Sequence, residues 1–361
     1  MAYRFTDLPD LAAAGFDELI DVRSPAEFAE DHLPGARNLP VLSDAERAEV
    51  GTLYVQHSRF EARRRGAALL ARNVAMHLEG PLADKPPAYR PLIYCWRGGQ
   101  RSGGMATILG QIGWRVEVLE GGYRSYRRAV VAALYDGVLP HAFILLDGYT
   151  GCAKTALLDH LAARGVQVLD LEGLAVHRGS LFGGFAERDQ PSQKAFDSRV
   201  MAALADLDPG RPVVVEAESS RIGSVTIPPA LWARLKPAPR VEVTAPLAAR
   251  ARYLTTAYAD ICADTGRLLT VLDRLATLQP AERIAAWREL ACAGEHEALA
   301  AGLMELHYDP AYRRSRARRE GAVLPAIALP SLDETALRDG AALVEVAIDA
   351  LTGAAPVSRR A

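Results

Sequence analysis

Ala142-Phe-Ile-Leu-Leu-Asp-Gly-Tyr-Thr-Gly-Cys-Ala-Lys-Thr155 decides how this chain is read. Residues 142–146 form its most strongly apolar run and predict a buried strand, while residues 156–164 predict a helix. Between them Gly148, Gly151, Cys152, Ala153, Lys154 and Thr155 fit the spacing G-x-x-x-x-G-K-(S/T) with one departure. In a strand–loop–helix setting the backbone amides of residues 150–155 surround a diphosphate, Lys154 bridges its outer oxygens, and Thr155 supports Mg²⁺. The departure is Ala153 in place of the second glycine. Its methyl group crowds the phosphates, or costs about 1–2 kcal/mol if the position is left-handed. Anion binding survives that more easily than fast nucleotide hydrolysis. A glycine-rich turn that binds nothing would not need the Lys154–Thr155 pair or the strand before it.

Working outward, strands are predicted at residues 167–171, 212–217 and 240–244, and residues 248–312 read as mostly helical. Val213-Val-Val-Glu-Ala-Glu-Ser219 ends a buried strand in acid; period-two alternation puts Glu216 and Glu218 on one side. Either carboxylate serves a Mg²⁺-bound water or caps a helix, and spacing does not choose between them. His177-Arg178-Gly179-Ser180 follows another strand, so it belongs on the same rim of the sheet, where His177, Arg178 and Ser180 suit an anionic substrate. Ordinary surface hydrogen bonding is the alternative.

Upstream, strands are predicted at 18–22, 91–95 and 115–119, with helices at 26–31, 45–54 and 61–77. Ser43 and Asp44 are the caps of the second helix. The strand at 91–95 runs into Cys95-Trp-Arg-Gly-Gly-Gln-Arg-Ser102, and residues 104–113 read as a helix. That places successive amides, and the positive end of a helix dipole, around one thiol. Gly98 and Gly99 permit the curl, while Arg97 and Arg101 add charge, so Cys95 is an activated nucleophile beside a phosphate or sulfite site. A structural cysteine is the competing reading, opposed by the glycines and arginines. Cys95 and Arg101 also have the C-x5-R spacing of cysteine phosphatases, although Tyr94 stands where those usually carry histidine.

Both halves are thus α/β. A linker near residues 135–141 divides the chain into 1–136 and 137–361, each able to bury its own core. No membrane span or signal pattern is read, and four scattered cysteines suggest a reducing cytosol. The net charge of −2 is uninformative about nucleic acid, and the arginine richness, with only four lysines, reads as coding bias. Even so, Arg313, Arg314, Arg316, Arg318 and Arg319 form a run suited to phosphates. A solvated helix face is the simpler reading of that charge run.

Asp21-Val-Arg-Ser-Pro-Ala-Glu-Phe28, His32-Leu-Pro-Gly-Ala-Arg-Asn38 and Gly121-Gly122 resemble signatures of the rhodanese fold, in which the cysteine carries transferred sulfur. Asp21 and Arg23 are read there as tying loops together. With the phosphate loop in the same chain, the whole resembles the tRNA 2-selenouridine synthase family over roughly residues 19–312. The stretches that carry this are residues 94–102, 148–155, His177-Arg-Gly-Ser-Leu-Phe-Gly183, Gln190-Pro-Ser-Gln-Lys194 with Phe196, Glu216-Ala-Glu-Ser-Ser-Arg221-Ile-Gly223, and His307-Tyr-Asp-Pro-Ala-Tyr312. The resemblance implies an N-terminal rhodanese-like domain and a P-loop NTPase-like parallel-sheet domain with a helical C-terminal part. It implies geranylation of wobble 2-thiouridine by geranyl diphosphate, then selenation by selenophosphate. Cys95 accepts selenium as a selenenyl sulfide while Arg97 and Arg101 hold phosphate. Lys154, Thr155 and Mg²⁺ neutralise the diphosphate, Glu216 or Glu218 supplies the metal-side carboxylate, and Arg221 belongs to a substrate-binding stretch. The partners are the tRNA anticodon stem-loop and a selenophosphate donor system. No tightly bound cofactor and a monomer are expected. Rival readings are a cysteine phosphatase or a persulfide carrier fused to a nucleotide-binding domain, and a nucleotide-gated RNA-binding module without catalysis.

Overall fold

A computed structural model describes residues 2–316 and 321–352. The chain separates into two compact units, residues 1–137 with 192–205, and residues 138–191 with 206–361. The first unit is built on a parallel sheet of β1 (Ala2–Tyr3), β2 (Glu18–Asp21), β3 (Arg37–Asn38), β4 (Pro91–Tyr94) and β5 (Glu117–Leu119). Its strand order is β1-β5-β4-β2-β3, so β4, which leads to Cys95, is central and buried at every position. Ile20, Ile93, Met105 and Leu109 lie in one core with Leu69 and Val74 of helix Arg59–Glu79. Ser43 caps helix Asp44–Gln56 in a reciprocal pair with Glu46, as its sequence predicts.

The second unit repeats the principle. β6 (Phe143–Asp147), β7 (Gln167–Leu169), β8 (Val213–Glu216), β11 (Arg240–Thr244) and β12 (Ile327–Ala328) form a parallel sheet in the order β12-β11-β6-β8-β7. A separate two-stranded hairpin pairs β9 (Arg221–Ile222) with β10 (Val225–Thr226). Leu157 and Leu161 of helix Lys154–Ala163 pack with Val344 and Ile348 of helix Glu334–Thr352 in the sheet's core. A third core gathers Phe182, Leu268, Leu272, Trp287, Leu299 and Leu303 in the helical part. Both sheets are parallel α/β sheets, as the alternating pattern predicts.

Three features depart from the sequence reading. The strand expected through residue 171 ends at Leu169, because Asp170 accepts a hydrogen bond from the Gly173 N–H and caps a short helix from Leu171. The two-residue strands β1, β3 and β12 were too short to show periodicity. Helix Gln193–Ala205 also clusters with the first unit although its sequence follows the expected boundary at 136. The reason is visible in its contacts: Arg127 pairs with buried Asp197 at 2.5 Å, Lys194 reaches Glu30 at 2.6 Å, and Phe196 is fully enclosed.

Candidate active site

In the first unit, β4 delivers Cys95 to a loop whose shape is fixed by two glycines. Gly98 has φ +66°, and a Cβ there would lie 2.5 Å from the Leu119 carbonyl oxygen; one on Gly122 would lie 2.3 Å from that of Cys95. The Cys95 carbonyl accepts the Tyr123 N–H at 2.8 Å, tying the loop to the following helix. Around the sulfur, the Gly99 N–H and the Ser102 hydroxyl each lie 3.3 Å away, both aimed as donors. Burial alone would raise this thiol. The Ser102 hydroxyl and the backbone N–H groups of Ser102, Arg97 and Gly99 outweigh it, so the Cys95 thiol is held below its ordinary value. This is an activated thiol in an amide nest.

The two arginines part company. Arg97 is exposed on the loop. Arg101 grips Glu27 with both terminal nitrogens, at 2.6 and 3.2 Å, and Arg47 joins the same carboxylate at 3.0 Å. The C-x5-R spacing is therefore met in sequence while its arginine is committed to an ion pair. Asp21 and Arg23 do tie loops together: they form a buried pair at 2.6 Å, and Arg23 also donates to the Asp31 carbonyl.

In the second unit, the loop after β6 frames a cleft of about 540 Å³ lined by residues 150–155 and by Glu172, His177, Arg178, Ser180, Arg188 and Glu218. Helix Lys154–Ala163 begins there, presenting N-terminal amides that have no acceptor within the helix. Ala153 sits at φ 55°, ψ 35°, the left-handed conformation that makes glycine usual at this place. Its methyl group is buried in the sheet's core. Gly151 lets the loop pass against the next helix: a Cβ on it would lie 3.1 Å from Leu254 and 3.2 Å from Arg250. Arg250 donates to the Thr150 carbonyl at 3.1 Å and to both oxygens of Asp309 at 3.0 and 2.8 Å. Tyr312, one turn further on, donates to buried Asp147, which also accepts the Gly148 N–H at 2.9 Å. The His307–Tyr312 stretch thus braces the phosphate loop from the far end of the domain.

The charges converge on the loop. Lys154 lies 3.3 Å from the Gly148 carbonyl, and Thr155 donates to Glu172 at 3.1 Å. A Cβ on Gly179 would lie 2.3 Å from Glu172 Oε1 and 2.7 Å from Glu218 Oε2, so both carboxylates meet at this glycine. Burial first and the Glu218 charge second push Glu172 up to about 8. Burial works the other way on Lys154, but Tyr312, Glu218 and Glu172 overcome it and raise its basicity. The arrangement suits an anionic ligand beside a cation, each relieving part of the crowded charge.

Sequence spacing paired Glu216 with Glu218, and the structure separates them. The strand ends at Glu216, so alternation no longer applies beyond it. Glu216 is buried and accepts the Glu172 N–H at 2.7 Å, anchoring the start of the short helix, whereas Glu218 lines the cleft. Burial holds Glu216 well above the usual carboxylate range, and its Oε2 is enclosed with no partner among the described residues. Cys152 turns inward, with burial raising its thiol, and its N–H closes a turn onto the Tyr149 carbonyl at 3.1 Å.

His177, Arg178 and Ser180 all reach the cleft. Arg178 pairs with Asp260 at 2.9 Å and stacks over Phe185, its guanidinium 4.1 Å from the ring centre; Ser180 meets the Tyr258 hydroxyl at 3.0 Å. Arg221 does not reach it: exposed on β9, it donates to the Gly223 carbonyl at 2.9 Å. Arg313 and Arg314 are exposed on helix Asp309–Arg316, the helix that carries Tyr312 inward. The side chain of Arg316, and Arg318 and Arg319 entirely, lie outside the described residues. Sequence reasoning missed Glu172, Arg188, Asp147, Arg250 and Asp309. Glu172 carried a signal, an acid just past β7, two strands from β6 in the same sheet, and Asp309 lay within the quoted His307–Tyr312 stretch.

Comparison with known proteins accounts for both units. A family model described as the tRNA 2-selenouridine synthase AAA domain matches residues 141–267, and a rhodanese-like domain model matches residues 5–129. A protein of Chromohalobacter salexigens is 35% identical over 325 residues, covering 82% of this chain and 87% of its own. One of Marinobacter nauticus is 31% identical over 338 residues, covering 85% and 90%. A third, of Nitrosomonas europaea, is 36% identical over 236 residues, covering 64% of this chain and 61% of its own. All three carry the name tRNA 2-selenouridine synthase.

Proposed function

Because the chain belongs to the tRNA 2-selenouridine synthase family, we propose that it converts wobble 2-thiouridine of tRNA to 2-selenouridine in two steps, through an S-geranyl intermediate. The observation that carries this reading is the presence, in one chain, of two phosphate-type cradles of different chemistry. One holds an activated thiol; the other holds a lysine and two carboxylates, and its own cysteine, Cys152, is buried with its thiol raised.

The first step is assigned to the second unit. The 2-thiouridine sulfur uses a lone pair to form a bond to the allylic carbon of geranyl diphosphate, and the C–O electrons leave on the diphosphate. Lys154 and the amides at the start of its helix neutralise that charge, a role in which a fixed dipole needs no reorganisation. Arg178 and Arg188 extend the positive wall of the cleft. Among the described residues no three His, Cys, Asp or Glu side chains form a metal site on their own. Mg²⁺ in phosphate sites, however, takes few protein ligands and keeps its waters. The crowded Glu172–Glu218 pair beside Thr155 fits such an ion, which would supply further charge neutralisation to the leaving diphosphate. None of this requires nucleotide hydrolysis, which is compatible with Ala153.

The second step is assigned to Cys95 and selenophosphate. Selenium there is already at the selenide level, so the course that balances without an oxidant is thiolate attack on phosphorus. The P–Se electrons leave with selenium, and the selenide adds at C2 of the base and expels geranyl thiolate. Phosphate stays on Cys95 in the amide nest until water removes it. A selenenyl sulfide on Cys95, the other way to hold selenium, requires the P–Se electrons to depart on phosphorus. The adduct mass on the Cys95 peptide tells the two apart. The exposed Arg313 and Arg314 are assigned to the RNA backbone, whose unpaired anticodon bases are open to recognition.

Separating the steps tests the assignment. Lys154→Ala abolishes geranylation of a 2-thiouridine stem-loop but still selenates a stem-loop supplied already geranylated. Cys95→Ser does the reverse. Loss of both steps in either folded variant would overturn the division of labour.

A further inference from the structure

The second unit holds another cavity, and its character is opposite to that of the phosphate cleft. It is a chamber of about 70 Å³ within the helical part, walled by Phe182, Leu268, Leu299 and Leu303, all buried. Thr150, Ser180, Leu254, Tyr258 and Tyr308 line both cavities, so the mouth of the chamber lies on the wall of the cleft. Thr150 belongs to the phosphate loop, and the loop packs directly on the helix carrying Leu254. At the mouth the Ser180 and Tyr258 hydroxyls are 3.0 Å apart and satisfy each other, while the Tyr308 hydroxyl is buried without a partner among the described residues. Beyond them the wall is hydrocarbon except for Thr255, Cys262 and His296, whose Nε2 is buried with no partner among the described residues.

We propose that this chamber is the hydrocarbon subsite of the prenyl diphosphate donor, receiving the outer isoprene unit while the diphosphate rests on the loop at Lys154. This rests on the assignment of geranylation to the second unit, and adds where the tail goes and what length it has. A nucleotide base fits poorly, because beyond the mouth it would find only the His296 ring and the Thr255 hydroxyl to pair with in an otherwise apolar wall. Size points the same way. At about 12–15 Å³ of such space per water-sized group, the chamber takes roughly five groups, the size of one isoprene unit. The inner isoprene unit then spans the shared rim, with its allylic carbon next to the diphosphate and open to the cleft. A geranyl tail fills the chamber; a dimethylallyl tail leaves it empty, and a farnesyl tail has one unit too many.

The test is calorimetric titration of the full chain with geranyl diphosphate, dimethylallyl diphosphate and inorganic diphosphate. Each buried methylene is worth about fourfold in affinity, so even if only three of the five added groups are well buried, geranyl diphosphate gains an advantage of about 60-fold over dimethylallyl diphosphate. Ala300 lines the chamber from helix His296–Leu303. Ala300→Phe fills the space, erasing that advantage while leaving the affinity for inorganic diphosphate unchanged, which also reports that the fold is intact. A second readout needs no variant. Cys262 lines the chamber, so geranyl diphosphate protects its thiol from alkylation and inorganic diphosphate does not. Equal affinity for the two prenyl diphosphates, or an undiminished preference in Ala300→Phe, overturns the subsite and leaves the donor assignment standing. If inorganic diphosphate binds and neither prenyl diphosphate does, the donor assignment itself fails, and the subsite with it.

Discussion

Replacing Ser102 by alanine removes one donor from the Cys95 sulfur and little else. The Ser102 side chain is fully buried, its hydroxyl lies 3.3 Å from Cys95 Sγ, and its second contact is the Gly99 carbonyl, also at 3.3 Å. A hydrogen bond to a charged partner contributes about 1.5–3 kcal/mol, and the long, shared geometry here argues for the lower end. At about 1.5 kcal/mol the ionisation of the thiol is weakened about tenfold, which moves its titration up by about one pH unit. The direction follows from the site: burial raises the thiol, the donors lower it, and Ser102→Ala leaves burial in place with one donor fewer. The assay is alkylation of the Cys95 peptide by a small reagent across pH, read by mass so that exposed Cys292 does not interfere. The variant's rate should rise with pH about one unit later than the parent's and reach the same plateau in base. A pH–rate curve that does not move would refute the role given to Ser102. A lower plateau with an unmoved curve would show that the hydroxyl positions the sulfur and does not tune its charge.

Further outcomes follow from the phosphate cleft. Arg250→Ala strips the partner from Asp309 and releases the Thr150 carbonyl; breaking such a largely buried pair costs about 3–5 kcal/mol, so thermal unfolding should show a clear drop. The same melting temperature in Arg250→Ala would show that this brace contributes little. Glu172, raised from an ordinary 4.5 to about 8, keeps a proton in the folded state that the unfolded chain releases. Its contribution to stability is complete below pH 4.5 and is lost as the pH rises through about 8. Glu172→Gln should therefore hold its melting temperature across that window while the parent chain declines, and parallel declines would remove Glu172 as the cause. Ala153→Gly relieves a left-handed residue worth about 1–2 kcal/mol but gives up a buried methyl group and backbone stiffness of about the same size. Its melting temperature should barely move, and a large drop would mean that the methyl contact dominates.

Much of this architecture was legible because the informative residues are close together in sequence. The apolar β6 followed at once by Gly148, Gly151, Lys154 and Thr155 fixes a strand, an anion loop and a helix start within fourteen residues. Cys95 with Gly98 and Gly99 is equally local. What could not be read depends on residues far apart in the chain. Arg101 looked like an anion ligand from its nearness to Cys95, but Glu27 claims it from 74 residues away. Glu216 and Glu218 looked equivalent because alternation was carried past the end of a strand that stops at Glu216. The brace from Asp309 and Tyr312 to the phosphate loop spans more than half the second unit's sequence, and no periodicity records such a contact. The apolar chamber is hidden for the same reason, since its wall residues read only as ordinary helix core until the helices are packed.

The most direct test of the two-step account is mass analysis of a 2-thiouridine anticodon stem-loop incubated with the full chain, with donors supplied singly and then together. The account predicts a geranyl gain with geranyl diphosphate alone, no change with selenophosphate alone, and the selenium product when both are present, the last lost in Cys95→Ser. Selenium incorporation without geranyl diphosphate, or an unmodified stem-loop despite folded, RNA-binding protein, would contradict it.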